Sequence, residues 1–413
     1  MADHTCALFR SHRRRAHARG LLGVLGLGVA LLLVGATAAM AGPVERDRAK
    51  RIHDRLVGVP PDETTLTLME QDIVATDVRG AAFRAMAHPE FFTTSLKNWI
   101  TPWTNEEQTS FAPLNDYTAT VIGIVRDGRP FTEVLYDDVL YVGASSLGLT
   151  PYSHDDNFHY EELEAAHVDL SNPTLLVRQT QSGQSGSQVQ ASEAAGVLTT
   201  RAAGKAFFRA GTNRRMWRYT AMNFLCRDME QLSDNTRPAD RVRQDVSRSP
   251  GGDSSVFLNM CVGCHAPMDA VAGAFAYFEW VPDPNDPDLG RVVHTPGAVQ
   301  GKYLINATTF PFGYLTTDNR WDNYWREGDY SVLGWNGPSS GGWGAKSLGQ
   351  EIALSDAFAE CQVQKIWKRV CFREPANLAE RQEVSRIATD VFAANSYDIR
   401  EAFAAVAEYC MDD

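Results

Sequence analysis

The chain is poor in cysteine, with seven in 413 residues, and poorer still in arrangements of them. It has one C-x-x-C and no second, and past residue 41 no close Cys/His pair away from it, so a closed four-ligand zinc site has no second half there. The βαβ setting of a thioredoxin-like dithiol is also missing. Basic charge is short as well: 39 Lys and Arg face 51 Asp and Glu, a net charge of −12. That balance excludes nucleic acid or anionic lipid as the main partner. Past residue 41 no apolar run approaches membrane-spanning length, and no internal repeat is visible.

What is present starts with Cys261-Val262-Gly263-Cys264-His265, the C-x-x-C-H pattern of covalent c-type haem attachment. Two intervening residues let one turn offer both thiols to the vinyl groups on one macrocycle edge. His265 follows at once, so the same turn delivers an imidazole to the iron as proximal ligand. With seven Cys and ten His, random order yields roughly a few such pentapeptides per thousand chains of this length. One covalent haem c on Cys261, Cys264 and His265 is therefore the expected cofactor.

The N-terminus agrees with this from a separate direction. Arg10, Arg13, Arg14, Arg15 and Arg19 precede an apolar stretch over 20–41 that ends in Ala39-Met40-Ala41, a small-x-small cleavage site before Gly42. Residues 1–41 read as a secretory signal; the alternative is an uncleaved N-terminal anchor. Both place the body of the chain in the periplasm or outside the cell, with no membrane span in the mature part. Removing five Arg and one Asp, net +4, takes the whole-chain −12 to −16. This acidic surface serves solubility first, and it could also steer a basic redox partner protein.

Export also bears on Cys226, Cys361, Cys371 and Cys410, an even number in an oxidising compartment. Cys361 and Cys371 share a predicted helix, and ten helical residues separate them by about 15 Å, too far to bridge. Each is expected to pair with Cys226 or Cys410, and two pairings stay open.

The chain reads as mainly α. Helical spacing covers 44–57, 63–87 and 112–126, with caps at Asp62 and Asn115, and resumes from 204 to Cys226. Further helices are expected near 352–371, 377–395 and 397–410. The Ser/Gln/Gly stretch 179–190 reads as a linker or mobile loop. The expected organisation is a signal peptide (1–41), an N-terminal helical domain (42–178), a linker (179–196), a multi-helix cytochrome c-like haem domain (197–300) and a Trp/Gly-rich loop with C-terminal helices (301–413).

The span 281–344 is the least regular. In VPDPNDPDLG (281–290) the acidic spacing fails the full calcium-loop pattern, and a solvated acidic turn is the preferred reading over a calcium site. Trp321, Trp325, Trp335 and Trp343 lie among glycines and are expected to be buried as loop anchors.

The sixth iron ligand is the open question. Downstream, Met268 is too close to His265 to reach the opposite haem face and Met411 lies at the C-terminus. His294 leads as distal candidate, ahead of Met216, Met222 and Met229 and the His154, His159, His167 group. That histidine group reads as ordinary loop and surface residues rather than a second metal site.

Residues 195–226 and FLNMCVGCHAPMDAVAGAFAYFEW (257–280) resemble the haem-bearing domain of the planctomycete-type cytochromes, large exported bacterial proteins. RDGRPFTEVLYDDVLYVG (126–143) looks like the segment preceding it, and LGQEIALSDAFAECQVQKIWKRVC (348–371) like the start of the closing domain. The resemblance implies a mostly helical, exported c-type cytochrome with no settled substrate, and it transfers roles only to Cys261, Cys264 and His265. With no second C-x-x-C-H, the two-haem mechanism of dihaem peroxidases does not apply. The expected function is electron transfer through one covalent haem. The alternative is a haem-dependent oxidoreductase with an open distal site. No acid–base constellation is recognisable around the motif, so no catalytic residue is assigned.

Overall fold

Helices begin and end where the sequence supplies caps. The computed structural model describes residues 42–209 and 211–412; the secretory signal expected over 1–41 lies outside them. Pro43 opens α1 (Pro43–Val57), where a missing N–H costs nothing, and Gly58 closes it at φ 82° with its amide on Asp54 O. Asp62 accepts from the amides of Thr64 and Thr65 to start α2 (Glu63–Val74). The single helix expected over 63–87 is in fact two. Thr76 turns to φ 64°, and Asp77 caps Gly80 to start α3 (Val78–Met86), which folds back on α2. A π-helical turn, Phe91–Leu96, leads into the short α4 (Lys97–Ile100). Asn115 caps α5 (Asp116–Arg126) as its position predicts, and every residue from Asp116 to Val125 is buried, so α5 is central.

The middle of the chain holds α6 (Phe158–Ala165), α7 (Arg201–Phe207), α8 (Arg214–Phe224), α9 (Ser254–Val256) and α10 (Val262–Ala272). The C-terminal part adds α11 (Gly344–Ala353), α12 (Asp356–Cys371), α13 (Leu378–Arg386) and α14 (Ile399–Tyr409). Three antiparallel two-stranded ribbons interrupt them: β1 (Leu140–Gly143) with β2 (Leu176–Gln179), β3 (Phe278–Pro282) with β4 (Gly290–His294), and β5 (Arg320–Asp322) with β6 (Gly341–Trp343). Helix makes up 53% and strand 7%, so the fold is mainly α. Among the described residues no helix is long and apolar enough to cross a membrane.

The two ends of the described chain meet. Helices α1 and α3 pack on α14, and α1 also touches α12. Phe91 and Trp99 meet Phe403 edge-on, at ring separations of 5.4 and 5.3 Å. Ala41–Asp413 form one compact unit. The 179–196 segment runs within it, with Gln181, Val189, Ala194 and Ala195 buried.

Cysteine pairing takes one of the two arrangements left open. Cys226 bridges Cys361 across a Cα separation of 5.2 Å, and Cys371 bridges Cys410 across 5.6 Å. Cys361 and Cys371 do lie on one helix, α12.

Candidate functional site

Cys261 ends a π-helical turn, Phe257–Cys261, that runs directly into α10. Offsets of three and four residues share one helix face, so Cys261, Cys264 and His265 form a single stripe. The four other described cysteines are bridged, while these two thiols are free and half-buried.

Two residue types in and after the motif shape its surroundings. Pro267 lies inside α10 and has no N–H to give to the carbonyl four residues back. That carbonyl, Gly263 O, takes the amide of Asp234 instead, at 2.9 Å. A Cβ on Gly263 would come within 2.3 Å of Asn235 Oδ1 and Ser233 Oγ, so a larger residue there would have to push both side chains aside. Cys264 Sγ in turn reaches Met229 O at 3.5 Å, and burial pushes its thiol pKa up.

The Trp/Gly-rich region holds that loop from behind. Trp325 donates from Nε1 to Leu232 O at 2.8 Å and stacks on Trp217 with ring centroids 5.2 Å apart. Tyr330 donates to Ser233 O at 3.1 Å. Trp321, Trp325 and Trp335 are buried as expected, whereas Trp343 is 60% exposed because it leaves β6 at the mouth of α11.

His265 has a partner that sequence reasoning missed. Its Nδ1 is buried without a hydrogen bond, 3.6 Å from Asp269 Oδ2. Burial opposes charge on Asp269, yet Arg214 and Arg243 hold its carboxyl far below the usual carboxylate range. Arg214 grips it through Nη2 at 2.9 Å and also binds Asp245 through both Nη atoms, at 2.6 and 2.8 Å. The signal was legible as His and Asp at i and i+4 on one helix face. A carboxylate behind the ring is the usual way of orienting a metal-ligating histidine.

Two thiols and an imidazole on one stripe, with a carboxylate behind the imidazole, fit covalent haem. The fit rests on the donor set and on the orphaned Nδ1. Leu258 and Met260, 58% and 74% exposed, add apolar surface on the turn entering Cys261.

His294 ends β4, which packs on α7. Its ring is enclosed by Phe278 and Tyr277, its Nε2 is 4.0 Å from Glu193 Oε2, and burial pulls its pKa down to about 4. Met229, in contrast, sits in the turn against Cys264, and Met216 is buried on α8, which packs on α10. Met222, on the same helix, is half-buried. Met268 continues the motif's own stripe.

The His154, His159 and His167 group makes local contacts. His159 gives Nδ1 to Thr150 O and takes the Gly143 amide on Nε2, 2.6 and 2.8 Å. His154 stands against Tyr152, and His167 takes φ 48° after α6. In the acidic turn Asp283 and Asp286 accept backbone amides and Asp288 pairs with Lys205 at 3.0 Å. Among the described residues no group of three or more His, Cys, Asp or Glu side chains is placed to hold a metal ion. Compared with known proteins, the chain matches no family model, no curated protein and no solved structure.

Proposed function

We propose that this chain is an exported monohaem c-type cytochrome that passes electrons to and from a redox partner protein. The observation that carries the reading is the stripe Cys261, Cys264, His265, whose thiols stay free while the other four described cysteines are bridged. It agrees with the resemblance to the planctomycete-type cytochromes, in which residues 197–300 would form the haem domain between N- and C-terminal helices. The two disulfides suit an oxidising compartment.

Cys261 and Cys264 would hold the haem through thioethers, and His265 would ligate the iron. A haem so held supplies one-electron iron chemistry. The chain's own residues do the rest. Asp269, 3.6 Å from Nδ1, would orient the imidazole, Arg214 and Arg243 keep Asp269 ionised, and the loop at 229–235 covers Cys264.

A haem-dependent oxidoreductase with an open distal site is the second reading, and the Asp269 carboxylate favours it, because such a partner raises the basicity of a ligating histidine.

Two measurements decide. Wild-type protein should keep its haem after denaturation, and Cys264→Ala should keep it only through Cys261. Purified protein with no bound haem would sink both readings. The reduced absorption spectrum should not change with carbon monoxide, since a strong sixth ligand suits electron transfer. A shift would transfer the case to the oxidoreductase.

A further inference from the structure

A cleft of about 680 Å³ opens between the segment carrying Trp99 and Trp103, the C-terminal end of α8 and one side of α12. This is the size of a site for a small organic molecule. Its charge is opposite to that of the chain as a whole. Arg227, Lys365, Lys368 and Arg369 line it, against Asp228 and Glu374.

Both carboxylates are already engaged, Asp228 with Arg218 at 2.6 Å and Glu374 with Lys368 at 2.9 Å. Among the described residues the other three cations have only neutral acceptors. Lys365 donates from Nζ to Asn223 O at 2.8 Å and stands 3.4 Å from the centroid of the Trp103 ring. Arg369 donates to Ser95 Oγ at 3.1 Å, and Arg227 to Cys226 O at 3.1 Å. Cations withdrawn from water without a counter-ion are costly. The cost is visible at Lys365 and Arg369, where burial holds both groups below their usual pKa values. Lys365 and Arg369 are four residues apart on α12, so they share one face of the helix and can act on one anion.

We propose that this cleft binds a small organic carboxylate with a planar apolar body. The carboxylate sits between Lys365 and Arg369, and the body lies against Trp103, Pro102 and Met222. The apolar walls separate this ligand from an inorganic anion, which would gain nothing from them. The proposal is independent of the haem. The cleft nevertheless borders the attachment site, because the turn that contributes Asp228 and Gln231 to it also offers Met229 O to Cys264.

The test is calorimetric titration of the full-length protein with sodium benzoate, with benzamide and inorganic phosphate as controls. Benzoate should bind, and benzamide should bind at least about tenfold more weakly, since charge-assisted contacts carry the affinity. Lys365→Met and Arg369→Gln should each weaken benzoate by a similar factor. If either variant fails to fold, the wild-type comparison of benzoate with benzamide still decides. Absence of benzoate binding, equal binding of benzamide, or phosphate binding as tightly as benzoate would each overturn the assignment.

Discussion

The bundle joining the two ends of the described chain and the helix carrying Cys261–His265 are held by different forces. In the bundle, α1, α3, α12 and α14 bury aliphatic and aromatic side chains in one continuous core, stapled by Cys371–Cys410. Its ion pairs, such as Arg48–Asp412 at 2.6 Å, lie at the rim. Around α10 the apolar support beyond that core is a small cluster of Val242, Phe257, Val262 and Ala266. Charge does more there: Asp269, fully buried, gathers Arg214 and Arg243, with Asp245 behind. Apolar packing tolerates repacking, whereas a buried ionic network fixes directions. Helix α10 relies on the second kind.

The sharpest way to break this contrast is Asp269→Ala. It leaves the buried Arg243 without a carboxylate and Arg214 with Asp245 alone, and should cost about 3–5 kcal/mol in urea unfolding. A loss below about 1 kcal/mol would mean that the network does not hold α10. Next comes the double change Cys226→Ser with Cys361→Ser, which opens a bridge spanning 135 residues. It should remove about 2–4 kcal/mol, and more than the same change at Cys371 and Cys410, whose bridge spans 39. Equal losses from the two bridges would argue against loop closure as the source.

A smaller effect separates the β3–β4 ribbon from both regions. Burial lowers the His294 pKa from 6.5 to about 4. As pH falls through 6.5 the unfolded chain takes up this proton and the folded one does not until about 4, so stability should drop across that window. Glu193 is pushed up by burial, so the folded state keeps its proton longer and this group acts in the opposite sense. Thermal melts of His294→Leu and Glu193→Gln against wild type from pH 4 to 6.5 should therefore move apart in opposite directions. Parallel shifts would refute the assignment. The smallest change is expected from Arg48→Ala at the rim of the bundle, a slight loss in the urea midpoint that shrinks further as salt is added.

Local features were legible in the sequence. The helix over 44–57, the Asn115 cap and the α12 helix with both its cysteines follow from periodicity and capping, which act within a few residues. The split at Thr76 was missed because the apolar spacing runs on through it and only the backbone turns. The burial of Asp269 was missed because its arginines lie 55 and 26 residues away in the chain.

The sequence alone determined the motif stripe: spacing of three and four residues puts Cys261, Cys264 and His265 on one face of any helix they join. It also barred a Cys361–Cys371 bridge, since helical rise separates them whatever surrounds them. Tertiary structure decided which cysteine each of these meets, that His294 packs beside Glu193, and that the first and last described helices share one bundle. Those outcomes depend on contacts between residues far apart in the chain, chosen by how apolar surface and buried charge are best satisfied together, and no local pattern encodes that balance.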